Sequence, residues 1–149
     1  MNKNVRIVSR AIVFKEDKIL LVKNKNANFW YVPGGGWESE TESLKDCVIR
    51  ETKEETGLDI ENPRIVYIQE YKEYSNQSIS LEVFWVCDLS SEDVDFSHKD
   101  QDENGQVEEF NFYTKEEIQS LKIYPKVLKN DIWDKIKNID NFVINYLTD

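Results

Sequence analysis

A mixed β-sheet flanked by helices, an α/β fold in one domain, is what this sequence predicts, on three observations. Two pairs of β-rich runs read as hairpins on either side of one well-capped helix. Strands and helices mix without the regular alternation of a doubly wound parallel sheet. The composition is that of a folded domain: 149 residues, 40% hydrophobic, 12% aromatic and only three prolines. That length buries one substantial core and leaves little room for a second domain, so residues 1–149 are read as one unit.

Charge and cysteine usage narrow the function classes. Nineteen basic against twenty-nine acidic residues give a net charge of −10, although charged residues make up 32% of the chain. That balance opposes unaided binding to nucleic-acid phosphates, and a polyanionic substrate needs cations beside it. No run approaches the roughly eighteen apolar residues of a membrane span, and the N-terminus lacks the apolar stretch and cleavage site of an export signal. Cys47 and Cys87 are not spaced as a metal-ligand pair. Both are read as reduced core residues, with a cytoplasmic location as the default.

The elements follow in order. Val5 to Phe14 is rich in Val and Ile, Lys15-Glu16-Asp17-Lys18 makes a polar turn, and Ile19 to Val22 completes a hairpin. Phe29 to Val32 is a short strand leading into Pro33 and the glycines Gly34 to Gly36, after which a loop is expected. Ser43 with Asp46 three positions on reads as a capping box, and Gly57 as the C-terminal stop of the same helix. Arg64 to Tyr74 and Ile79 to Cys87 form a second hairpin around the polar Ser75 to Ser78. The acidic segment Ser90 to Gln106, with its Asn104-Gly105 turn signal, reads as a long mobile loop. Val107 to Tyr113 is a short strand and Thr114 to Glu117 caps a small helix. Pro125 to Lys137 carries Val127, Leu128, Ile132, Trp133 and Ile136 at helical spacing and predicts a closing helix packed on the sheet.

The chemistry is concentrated between Gly36 and Leu58. The chain there reads Gly36, five residues, Glu42, seven residues, then Arg50-Glu51-Thr52-Lys53-Glu54-Glu55-Thr56-Gly57-Leu58. On a helix Glu51, Glu54 and Glu55 project from a single face within about one turn. Leu44, Cys47 and Val48 lie on that same side of the wheel, so a stripe that ought to face the core becomes carboxylates. A divalent cation such as Mg²⁺ relieves the repulsion, because hard ions prefer carboxylate oxygens. A bare Glu-Glu pair is usually just solvated; the glycines, the arginine and the preceding loop favour the metal. The glycine run lacks the G-x-G-x-x-G spacing and the lysine of a P-loop, which weakens dehydrogenase and P-loop kinase readings.

This segment resembles the Nudix box, whose pattern is G, five residues, E, seven residues, R-E-U-x-E-E-x-G-U, with U a bulky aliphatic. Every charged and glycine position matches, and Thr52 at the first U is the one departure, costing some packing and no ligand. Trp30 to Gly36 also resembles the approach to this box, and the likeness extends over most of the chain up to Lys137. The resemblance implies a Nudix-type α/β/α sandwich. It further implies Mg²⁺-dependent hydrolysis, with Mn²⁺ able to substitute, of a nucleoside diphosphate linked to another group, such as ADP-ribose or a nucleotide sugar. A nucleoside triphosphate pyrophosphohydrolase is the nearest enzymatic alternative, and a non-catalytic nucleotide-sensing module the alternative of another class. A homodimer is a further implication.

Carried over residue by residue, the resemblance puts Glu51, Glu54 and Glu55 on the metal, with Gly36 beside them and Glu42 in support. Arg50 joins the catalytic set in an orienting role, since it keeps its proton and holds carboxylates in place. The general base is either a box glutamate or a later acid; among Glu103, Glu108 and Glu109 the reading favours Glu109, near the start of the Val107 to Tyr113 strand. Gly34 and Gly35 bring backbone N–H groups toward a phosphate, and Arg10 and Lys23 are further phosphate contacts; for each basic residue, ordinary solvation is an equal alternative. Trp30, Tyr31, Trp37, Tyr71, Tyr74 and Phe84 are candidates to stack on a base, with strand packing the commoner role and Trp30 read as core. His98, in a polar loop, is read as simply exposed.

Overall fold

The computed structural model describes residues 4–73, 78–96, 107–130, 132–137 and 145–148. Its strands are β1 (Val5–Lys15), β2 (Lys18–Asn24), β3 (Trp30–Tyr31), β4 (Gly34–Gly36), β5 (Ile60–Glu73), β6 (Ser78–Leu89), β7 (Val107–Thr114), β8 (Ile123–Tyr124) and β9 (Asn145–Thr148). Its α-helices are α1 (Leu44–Thr56), α2 (Lys115–Ile118) and α3 (Ile132–Lys137). All nine described strands belong to one sheet.

The sheet is mixed, with β1 at its centre. β1 turns into β2 as an antiparallel hairpin, Phe14 opposite Ile19, and runs parallel to β6 from Val5 opposite Ile79 to Phe14 opposite Asp88. β5 and β6 form the second expected hairpin, from Ile60 opposite Leu89 to Glu73 opposite Ser78. β7 pairs antiparallel with β2, while β9 adds in parallel to β5.

Alternate residues of the central strands feed two cores. Ala11 and Val13 of β1, Leu20 and Val22 of β2, and Val83, Trp85 and Cys87 of β6 pack with Val48 of α1. Ile12, Ile19, Leu21, Phe84 and Val86 pack with Ile118, Leu128, Trp133 and Ile136. A period of two divides a strand between opposite faces of its sheet, so helices cover both faces and the sandwich is α/β/α. Each fully buried aliphatic or aromatic side chain contributes about 1.5–3 kcal/mol relative to exposure. Cys47 and Cys87 are buried free thiols, as expected; burial pushes the Cys47 thiol up to about 12.

Two expectations are corrected, on the closing helix and on the start of β5, and one strand is added; the loop expected after Gly36 is present at residues 37–43. The closing helix is broken: Lys126–Lys129 is a 3₁₀ turn ended by Asn130 in an extended conformation, and α3 starts afresh at Ile132. Its apolar spacing still serves, since Leu128, Trp133 and Ile136 are buried. The glycine run is itself a strand, β4, paired with β1 through Arg10 opposite Gly34, Ser9 opposite Gly35 and Val8 opposite Gly36. β5 starts at Ile60 rather than Arg64, accommodating Asn62 and Pro63 by irregular pairing between Glu61 and Arg64. Of the expected mobile loop, residues 97–106 lie outside the described residues, with His98 and Glu103 among them, and so does Tyr74.

Candidate active site

The site is built around α1, which is fixed at both ends. Ser43 accepts from the Asp46 N–H while Asp46 accepts from the Ser43 N–H, completing the capping box, and Gly57 closes the helix in the left-handed conformation at φ 74°. Ser9, fully buried on β1, donates to the Leu44 carbonyl at 2.8 Å and accepts from the Trp85 indole at 2.8 Å, tying the first turn of α1 to the sheet.

The helix carries a buried stripe and, running on from its edge, a stripe of charge. Cys47, Val48, Thr52 and Thr56 are its buried residues. The two threonines enter the core because Thr52 donates to the Val48 carbonyl at 2.8 Å and Thr56 to the Thr52 carbonyl at 2.6 Å, leaving no hydroxyl to solvate. Glu51 and Glu55 continue the row of the buried Cys47 at intervals of four residues, against Gly35 and Gly34 of β4, and Glu54 lies beside them on the Arg50 side.

Arg50 is the hub of that second stripe. Its Nε and Nη2 donate to the two oxygens of Glu42 at 2.8 Å each, in a bidentate fork. Its Nη1 donates to Glu51 at 2.9 Å and to Glu54 at 3.2 Å. Hydrogen bonds from Arg50 hold the Glu42 carboxyl down at about 2, and those same bonds push the guanidinium further up. Burial acts the other way on Glu51 and raises its carboxyl. Glu55 stands outside the hub and accepts from the Gly34 N–H at 3.1 Å.

The glycines of β4 let the helix approach. A Cβ on Gly35 would sit 2.4 Å from the Glu51 carboxyl carbon, and one on Gly34 would sit 2.3 Å from the Ser9 carbonyl oxygen, with φ already at +158°. Among the described residues no three His, Cys, Asp or Glu side chains are gathered, as they stand, into a metal site. Arg50 lies between Glu51 and Glu54, and Gly34 takes up Glu55. The donor set nonetheless suits a hard divalent cation: three carboxylates on one helical turn, one of them seated in a space that only a glycine leaves open.

Glu51, Glu55 and the three glycines form one wall of a cleft of about 640 Å³. Its floor is the face of β1, β6 and β5 that carries Arg10, Glu82, Phe84, Gln69 and Tyr71, and Tyr31, Phe29 and Tyr124 line the opposite side. Phe84 stacks on Tyr67, its register partner on β5, with ring centres 4.2 Å apart. Trp30 packs edge-on against Tyr113 at 5.1 Å, as core.

The structure thus brings together Gly34, Gly35, Gly36, Glu42, Arg50, Glu51, Glu54, Glu55 and Arg10. It sets Lys23 and Glu109 apart: they face each other across β2 and β7, 3.7 Å apart, and neither lines the cleft. The backbone of Glu108 is on β7, and its side chain lies outside the described residues. Sequence reasoning missed Glu82, Gln69, Arg6 and Tyr124, all of which line the cleft. Their signal is the shared parity of Arg6, Arg10, Glu82 and Gln69 once β1, β6 and β5 are placed side by side, and nothing local announces that pairing.

The NUDIX domain model matches residues 5–131, so the chain belongs to that family. Among curated relatives, the uncharacterized Nudix hydrolase YvcI of Bacillus subtilis is 43% identical over 58 residues, 39% of this chain and 36% of that protein. An ADP-ribose pyrophosphatase of Methanocaldococcus jannaschii is 48% identical over 50 residues, 32% of this chain and 29% of that protein. The match spans about a third of each relative's own length. Among solved structures, an ADP-ribose pyrophosphatase from Streptococcus suis is 25% identical with a TM-score of 0.71, covering 95% of this chain and 98% of that one. A NUDIX hydrolase from Nitrosomonas europaea shares the fold at a TM-score of 0.73 and 19% identity, over 100% of this chain and 82% of that one.

Proposed function

We propose that this chain is a divalent-metal-dependent pyrophosphohydrolase that cleaves the diphosphate of a nucleoside diphosphate linked to another group, ADP-ribose or a nucleotide sugar. One observation carries the reading: Glu51 and Glu55, seated against Gly35 and Gly34, wall a cleft whose floor is polar and whose far side is aromatic. Two of the relatives above bear the name ADP-ribose pyrophosphatase, which favours a diphosphate ester over a triphosphate.

Glu51, Glu54 and Glu55 would hold Mg²⁺ or Mn²⁺, with Gly36 beside them. When bound, the cation neutralises the diphosphate oxygens and lowers the pKa of a water. The chain supplies the rest. Arg50 keeps Glu42 ionised and aims Glu51 and Glu54 along the second stripe. The Gly34 N–H orients Glu55. Tyr31, with the Arg10 guanidinium over one face of its ring, is among the aromatic side chains that line the cleft and could stack on a nucleobase.

The test is a panel of ADP-ribose, nucleotide sugars and nucleoside triphosphates with Mg²⁺ or Mn²⁺, reading which phosphorus bond breaks. Nucleoside monophosphate plus sugar phosphate is the expected product. Pyrophosphate released from triphosphates would replace this reading with the triphosphate one, and no hydrolysis across the panel would leave a sensing module. Glu109→Gln tests the base: a large fall in kcat keeps Glu109 in that role, and an unchanged rate moves it to a glutamate of α1 or to another loop acid.

A further inference from the structure

Two arginines stand on the same face of β1, and they differ in their charge balance. Arg10 donates from Nε and Nη2 to Glu82 Oε1 at 3.2 and 3.1 Å, and from Nη1 to the Val32 carbonyl at 3.4 Å. Its guanidinium lies 5.6 Å from the Tyr31 ring centre. Arg6 is exposed at the Gly36 end of the cleft, and among the described residues it has no carboxylate partner. Glu82 is only 12% exposed, and its neighbours across β6 are Val8 on one side and the buried Gln69 on the other.

A half-buried carboxylate on a cleft floor repels phosphate and accepts hydrogen bonds from hydroxyl or amine groups. It also neutralises Arg10, the cation a further phosphate would need at that end. Gln69, opposite Glu82 on β5, lines the same stretch of floor with an uncharged amide. The floor therefore divides into a cationic end at Arg6 and a charge-balanced, hydrogen-bonding end at Arg10, Glu82 and Gln69.

We infer that Glu82, by holding Arg10 and facing the cleft, selects substrates whose diphosphate ends in an uncharged, hydroxyl- or amine-bearing group and disfavours nucleoside triphosphates. The inference rests on the function proposed above and names what decides its substrate class. Glu82→Gln keeps the shape of the side chain, removes its charge and releases Arg10 for a phosphate.

Two measurements on the full chain test it. The first is kcat/KM for ADP-ribose and for ATP with Mg²⁺. In Glu82→Gln the ADP-ribose to ATP ratio falls by about tenfold or more, the scale of one charge-assisted hydrogen bond, with the change carried by KM. In the Glu82→Gln, Arg10→Met double variant the gain toward ATP disappears. The second is calorimetric titration of non-hydrolysable methylene analogues of the same two ligands with Mg²⁺ present, where the affinity ratio shifts in the same direction without turnover. A ratio unchanged by Glu82→Gln in a protein of wild-type melting temperature overturns the inference, and so does binding of neither ligand. Absence of turnover with the binding shift intact overturns the hydrolase reading instead.

Discussion

Arg50 and Arg10 each bind carboxylates beside the same cleft, and they are assembled from opposite ends of the folding problem. The carboxylates hydrogen-bonded to Arg50 lie 8, 1 and 4 residues away, on α1 and the loop before it. The partner of Arg10 lies 72 residues away, across the parallel pairing of β1 with β6. Arg50 faces Glu42, Glu51 and Glu54 together and leaves a surplus of negative charge that invites a cation. Arg10 and Glu82 cancel. The first centre suits chemistry on a metal-bound diphosphate, the second suits choice of what the diphosphate carries.

The sharpest way to break this contrast is Glu55→Gln. Glu55 binds the Gly34 N–H rather than Arg50, so the hub stays intact and the melting temperature holds. Metal-dependent kcat should fall by roughly two to three orders of magnitude or more, the scale of losing one positioned group that stabilises the transition state. Wild-type-like turnover would remove α1 from the chemistry.

A pair of glycine variants separates function from stability. Gly35→Ala drives a methyl into the Glu51 carboxylate, the movable end of a side chain. It should weaken Mn²⁺ binding, read by titration, with little change in melting temperature. Gly34→Ala meets the Ser9 carbonyl and a positive φ instead, neither of which can give way cheaply. It should cost about 1–3 kcal/mol of stability in denaturant unfolding. Equal stability losses in both would mean that Glu51 is pinned as rigidly as backbone.

The Arg50 hub also has a pH signature. Its hydrogen bonds hold the Glu42 carboxyl at about 2 in place of the usual 4.5. Because the folded value lies below the unfolded one, the stabilisation is full above pH 4.5 and fades as the pH falls toward 2. Glu42→Gln lacks it, so the melting temperatures of variant and wild type should converge through that window and stay a constant distance apart above it. Parallel curves down to pH 2 would show that the fork contributes nothing to folding.

The smallest effect is expected at Thr52→Val. The Thr52 hydroxyl satisfies itself on the Val48 carbonyl within the helix, so an isosteric aliphatic should change stability by no more than about 1 kcal/mol and leave activity alone. A larger loss would mean that the hydroxyl does more than fill space.

Much of the fold was legible because its signals are local. Ser43 with Asp46, and Gly57, bound α1, and short runs rich in β-forming residues, broken by polar turns, announce β1, β2, β5 and β6. The break at Asn130 was not legible, since Val127, Leu128, Trp133 and Ile136 keep helical spacing across a 3₁₀ turn and a new helix. The glycine strand β4 was hidden as well, because glycine has no strand propensity and its pairing depends on β1.

By itself, then, the sequence determined the family, the capped helix and the acidic stripe with its arginine, all set by spacings of one to eight residues that a helix converts directly into geometry. Only the tertiary structure decided which cations are balanced: Arg10 by Glu82, and Lys23 by Glu109 away from the cleft. The physical reason is that strand pairing brings distant residues to within a few ångströms according to register, and register belongs to the whole sheet rather than to any stretch of chain.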